Sequence, residues 1–143
     1  MNDDTYFELP AHEVFGPQGA HVVALLERAR HLTPDEASEL DNARAAEPVD
    51  ALDAASDAEL GAARGARGAA WDAARGAARD AAWGVWGAWG AARAAALDAA
   101  GALVVRDLIP AEDYDTLTRT WRTVIGPIHP EDELWAAVAK AAK

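Results

Sequence analysis

The chain has 143 residues, room for one domain of ordinary size. It has no cysteine, which excludes disulfides, thiolate catalysis and cysteine-based zinc sites. The formal net charge is −11 at pH 7, opposite to the basic balance of a nucleic-acid-binding domain.

The 38 alanines favour helix strongly but supply a thin core, because alanine loses no side-chain entropy in a helix and buries little area. The six Trp and the Leu residues must provide most of the bulk. Charge is unevenly spread: residues 1–60 sum to −11, residues 61–106 to +3 and residues 107–143 to −3. Such contrast means either that the segments pack against each other or are simply solvated, or that one meets a charged partner; the first reading is preferred.

Residues 1–18 read as an irregular arm. Pro10 and Gly16-Pro17-Gln18-Gly19 are turn chemistry, and Tyr6, Phe7, Leu9 and Phe15 would pin the arm to the body. The polar, acidic start is not a secretory signal, so a cytoplasmic location is expected. Residues 19–60 are predicted as acidic helices. The first starts near Gly19 or Ala20 and carries Val22, Val23, Leu25, Leu26 and Ala29 at helical spacing. Thr33-Pro34-Asp35-Glu36 then matches an N-cap, a first-turn proline and a capping-box glutamate. That helix should run to about Ala46 and stop before Pro48. Another, near Val49 to Leu60, follows.

Residues 61–109 form an Ala/Gly/Trp/Arg-rich helical segment of low complexity. On a helical wheel its glycines, among them Gly61, Gly65, Gly68, Gly76, Gly87, Gly90 and Gly101, share an arc. They adjoin Trp71, Trp83, Trp86 and Trp89, and the arginines 64, 75, 79 and 93. As one helix, about fifty residues would span about 75 Å, against roughly 40 Å for a compact domain of this size. Either the segment bends between Trp83 and Gly90 into a hairpin, or the molecule is elongated and self-associates. The uncharged stretch from Ala81 to Ala92 is too short to span a bilayer.

Residues 110–143 are predicted as C-terminal helices. The first presents Tyr114, Leu117, Trp121, Val124 and Ile125 on one face and ends at Gly126-Pro127. The second restarts at Pro130 and offers Leu134, Trp135 and Val138.

Chemistry-bearing motifs are scarce. The spacings of His12, His21, His31 and His129 match no common metal-ligand pattern, so no metal and no cofactor are expected. Ser38 and Ser56 lack the glycine-flanked elbow of a nucleophile, and no phosphate-binding glycine loop is present. No catalytic residue is assigned. Arg64, Arg67, Arg75, Arg79 and Arg93, interleaved with Trp, form a candidate anion-binding stripe, since Arg meets phosphates and Trp stacks on bases. The competing reading has the Trp rings in the core under arginine stems. A protein mimicking a polyanion through its acidic first third is weighed as well, against an ordinary solvated face.

The Ala-Ala-Trp-Asp-Ala-Ala-Arg run, Ala102 to Ile109, and Trp121-Arg122 with Val124-Ile125-Gly126-Pro127-Ile128-His129-Pro130 carry a resemblance. Over roughly residues 60–132 the chain resembles uncharacterised Ala/Trp/Arg-rich small proteins of actinobacteria and their bacteriophages. The resemblance implies a GC-rich actinobacterial or phage origin and transfers no fold, activity or residue role.

The expected architecture is all-α: about five to six helices in a single domain around the long Ala/Gly/Trp-rich central segment. The expected role is a non-enzymatic interaction protein, acting on a protein partner or as a homo-oligomer. Its surface would be Trp83, Trp86 and Trp89 with Gly84, Gly87 and Gly90 for close approach. The alternatives are a nucleic-acid or anion binder using the Arg/Trp stripe, and a small enzyme with a carboxylate/His site.

Overall fold

The computed structural model describes residues 14–65, 67–83, 91–130 and 132; for Ala82, Trp83 and Ala91 it describes the backbone path. Its helices are α1 (Gly19–Ala29), α2 (Pro34–Ala45), α3 (Val49–Ala63), α4 (Gly68–Trp83), α5 (Ala91–Val104) and α6 (Ala111–Val124). There is no strand among the described residues. The expected all-α bundle is therefore the fold.

Local chemistry sets the boundaries. Thr33 Oγ1 accepts the Glu36 amide at 3.1 Å, and the Glu36 carboxylate accepts the Thr33 amide at 3.0 Å, so the capping box at the start of α2 is complete. Glu36 also pairs with Arg28, which ties the end of α1 to the start of α2. The Arg28 guanidinium and the Thr33 amide hold the Glu36 carboxyl below its ordinary range. Pro48 separates α2 from α3, and Pro110 precedes α6. At the end of α6, Gly126 adopts φ +140°, which a side chain resists, and Pro127 bars continuation. Val14 and Phe15 are helical rather than irregular, and Phe15 is fully buried, the pinning role expected of it.

The Ala-rich α5 is the axis of the bundle. It touches each of the other five helices, most extensively α4 and then α6, α2 and α1. Ala92, Ala95, Ala96, Ala99, Ala100 and Ala102 are all buried, as are Leu103 and Val104. A helix apolar on every side must be enclosed, and short methyl side chains let several neighbours approach its backbone at once. Bulk comes from outside the axis: Leu25 and Leu26 of α1, Leu40 of α2, and Tyr114, Leu117 and Trp121 of α6. Asp41 of α2 accepts the Ala92 amide at 2.6 Å and so caps the first turn of α5 from a distance.

α4 and α5 form an antiparallel hairpin. Arg67 Nη1 donates to the Val104 carbonyl at 2.9 Å, Gly101 faces Trp71, and Arg75 Nη1 donates to the Leu97 carbonyl at 3.4 Å. The partner number falls as the residue number rises, as antiparallel packing requires. The segment 61–109 is thus not one helix. Its first residues finish α3, a turn at Arg64 and Gly65 separates α3 from α4, and residues 84–90 join α4 to α5. Length therefore gives no ground for self-association, and the described glycines of the segment, divided among α3, the turn after it, α4 and α5, do not line one groove. A Cβ added at Gly61 or Gly76 would have nothing within 4 Å, whereas one at Gly101 would strike Glu59.

Candidate functional site

The sequence places a glutamate at 59 on an otherwise ordinary acidic helix; the fold puts it inside. Glu59 of α3 is 2% exposed. Its Oε1 accepts the Trp71 indole N–H of α4 at 2.7 Å and lies 3.5 Å from Arg75 Nη1. It fits because α5 has Gly101 at that height: a Cβ there would stand 1.9 Å from Oε1. The Arg75 guanidinium also lies over the Trp71 ring, 4.9 Å from its centroid. Asp98, one turn before Gly101 on α5, completes the cluster. It is buried, 3.0 Å from Arg44 Nη2 of α2 and 3.9 Å from Arg75 Nη1. The Arg44 contact has ion-pair distance without hydrogen-bonding angles, because Asp98 Oδ2 makes no hydrogen bond to a protein group.

Two carboxylates and two guanidiniums thus meet where α2, α3, α4 and α5 converge. Burial pushes the Glu59 carboxyl up to about 7, and the neighbouring Asp98 charge adds to this; Trp71 and Arg75 offset only part. Burial raises Asp98 as well, against Arg44 and Arg75. A carboxyl poised near neutrality is suited to proton exchange. Here it is sealed under α3, so no substrate reaches it without opening the bundle. The cluster holds four helices in register, and the partners of each charge lie within it.

The predicted anion stripe is divided. Arg67 forms a two-pronged pair with Asp107, with Nη2 to Oδ2 at 2.8 Å, and its hydrogen bond holds the Asp107 carboxyl below the usual range. Arg75 belongs to the buried cluster. Arg64 and Arg79 are exposed, on α3's C-terminal cap and on α4, and Arg93 on α5 is half-buried. The five guanidiniums do not form one face. In the predicted interaction surface, Gly84, Trp86, Gly87, Trp89 and Gly90 lie outside the described residues, as does the Trp83 side chain. Trp71 is partly buried beneath Arg75, which matches the reading of a core ring under an arginine stem.

Two further arrangements escaped sequence reasoning because their members are far apart in the chain. Asp115 of α6 pairs with both Arg119 and Arg122 of the same helix, and Arg119 Nη1 reaches Glu47 at 2.9 Å, which fastens α6 to the residues just after α2. His21 of α1 and His129 stand with ring centroids 4.4 Å apart in an open groove between α1 and residues 127–130. Among the described residues no three His, Cys, Asp or Glu side chains form a metal cluster, and no helix is long and apolar enough to cross a membrane. No family model, no curated protein and no solved structure matches this chain.

Proposed function

We propose that the chain is a non-enzymatic helical interaction protein of the cytoplasm, binding a protein partner or a second copy of itself through Trp83, Gly84, Trp86, Gly87, Trp89 and Gly90. The observation that carries this reading is the Trp/Gly run itself, which sets three indoles at three-residue spacing among small residues in the stretch of sequence between α4 and α5. The run is also uncharged from Ala81 to Ala92 in a chain of net charge −11, and large aromatics with small neighbours are the composition of interface centres. The internal engagement of Arg67 and Arg75 speaks against nucleic acid as the partner, and the burial of Glu59 and Asp98 speaks against an enzyme built on them. An actinobacterial or phage accessory role fits the same reading. Sedimentation equilibrium over a wide concentration range, on wild type and on the double variant Trp86→Ala/Trp89→Ala, tests its self-association form. Association that the variant loses while keeping its melting temperature supports the reading. A monomer at all concentrations removes the homo-oligomer. If the double variant then melts well below wild type, the indoles belong to the core and the surface is refuted.

A further inference from the structure

α3 has a weak apolar hold on the bundle. Its buried residues are Ala55, Glu59 and Ala63. None of its three large apolar side chains is buried: Val49 is 69% exposed, and Leu52 and Leu60 are half-buried. By contrast α1 buries Leu25 and Leu26, α2 buries Leu40, and α6 buries Tyr114 and Trp121. α4, whose described buried residues are alanines, compensates by pairing most extensively with α5. α3 lies mainly against α6 and meets α5 sparingly. Buried apolar area is what resists local opening, so two alanine methyls hold α3 lightly. Nor does the helix balance its own charge, since it carries Asp50, Asp53, Asp57 and Glu59 and no Lys or Arg. What fixes it to α4 and α5 is the Glu59 carboxylate, hydrogen-bonded to the Trp71 indole and seated at Gly101.

The chain on either side of α3 is fastened more firmly. Glu47, just before it, is paired with Arg119 of α6 at 2.9 Å. Arg67, just after it, pairs with Asp107 and donates to the Val104 carbonyl at 2.9 Å. Between these two points lie Pro48, α3 and the turn at Arg64 and Gly65. A Cβ added at Gly65 would meet only the Ala62 carbonyl within 4 Å, at 3.7 Å, so nothing from another element crowds the turn there. Trp71 and Arg75 face Glu59 from α4 and Asp98 faces it from α5, with Arg44 of α2 beyond Asp98. On α6, Asp115 is paired with Arg119 and Arg122. The guanidinium nearest Glu59, that of Arg75, is shared with Asp98.

We propose that α3 is a strap: it lifts off α4, α5 and α6 as one unit between the fastened points at Glu47 and Arg67, while the other helices stay folded, and ionisation of Glu59 favours the lifting. Lifting carries the carboxylate into water, gives its proton to solvent, and uncovers the Trp71 indole with Arg75 and Asp98. Burial raises the Glu59 carboxyl from 4.5 to about 7 while the strap is closed. The hold it gives is therefore fully present below about pH 4.5 and is lost as pH rises to about 7.

Native-state hydrogen exchange of the full-length protein in sub-denaturing urea, at about pH 5.5 and about pH 8, tests this, with rates referred to the intrinsic rate at each pH. The amides of residues 53–63 should share one protection factor, lower than that of the α5 amides and nearly independent of urea, because lifting exposes little surface. That factor should fall about thirtyfold from the lower pH to the higher. Glu59→Gln keeps an acceptor for Trp71 without a charge, and there the fall should shrink to less than about threefold. If the α3 amides are as protected as those of α5 and share their urea dependence, α3 opens only with the whole bundle and the strap is overturned. That result needs wild type alone, so it stands even if the variant fails to fold. If α3 opens separately but its protection is the same at both pH values, or falls as steeply in Glu59→Gln, control by Glu59 is overturned.

Discussion

Replacing Gly101 by alanine should destabilise the protein, although the same change in an open helix stabilises it. Alanine is favoured over glycine in a helix interior by about 1 kcal/mol. Against that, the new methyl would lie 1.9 Å from Glu59 Oε1, 2.9 Å from Trp71 Nε1 and 3.1 Å from Glu59 Cδ. The carboxylate has no solvent to swing into, being 2% exposed. Forcing extra carbon into a packed site costs about 1–3 kcal/mol. Parting Glu59 from the Trp71 indole leaves a buried acceptor and a part-buried donor unmatched, a further loss of about 1–3 kcal/mol. The net is a destabilisation of about 1–5 kcal/mol. Urea unfolding followed by circular dichroism measures it, with the slope checked for constancy. The control is the double-mutant cycle with Glu59→Ala. Once the carboxylate is gone the slot is empty, so Gly101→Ala should become neutral or stabilising by up to about 1 kcal/mol, leaving a coupling energy of about 1–6 kcal/mol. A Gly101→Ala protein as stable as wild type, or an equal effect in both backgrounds, would show that Glu59 does not occupy that slot.

Two other outcomes follow from the same core. The Glu59 carboxyl is raised from 4.5 to about 7 in the folded state, so folding takes up a proton between those values. The group's contribution is therefore fully present below about pH 4.5 and is lost as pH rises to about 7, a decline of about 3 kcal/mol. Glu59→Gln should flatten that part of the stability–pH curve and be the more stable protein above pH 7; parallel curves for the two proteins would refute the assignment. Trp121, 1% exposed on the inner face of α6, should cost about 3–5 kcal/mol when cut to alanine, and an unchanged melting temperature would contradict its burial.

Much of the bundle is legible residue by residue. The Thr33–Glu36 capping box, the stop before Pro48 and the Tyr114/Leu117/Trp121 face follow from interactions within a few residues, and the structure has all of them. The central segment was harder because alanine gives no directional signal: a helix of methyl groups looks alike on every side, so a wheel cannot say which face is covered. Drawing residues 61–109 on one wheel also assumed an unbroken helix, and the breaks after Ala63 and Trp83 reset the phase. The Glu59–Gly101 fit and the His21–His129 approach depend on contacts between distant residues. The one local hint of the first was a glycine retained amid Ala and Leu where helix propensity disfavours it.

The charge contrast along the sequence acquires a physical meaning once the pairs are traced. Arg75, in the basic middle, serves Glu59 of the acidic first part and Asp98 of its own. Arg44, among the acids, serves Asp98, and Glu47 reaches forward to Arg119. The segments of opposite sign are therefore complementary surfaces of one fold. An Ala-rich axis requires some such device. Methyl groups allow helices to come close but leave little apolar area to define which neighbour goes where. Buried charges do define it, because a helix shifted by one turn would strand Glu59 or Asp98 without a guanidinium, and stranding a buried charge costs several kcal/mol. The same logic bears on where a partner could bind. With these charges turned inward, the described surface offers only Val49 and Leu108 as exposed large apolar side chains. The uncharged Trp/Gly connection between α4 and α5 is then the stretch of the sequence richest in the groups that drive association.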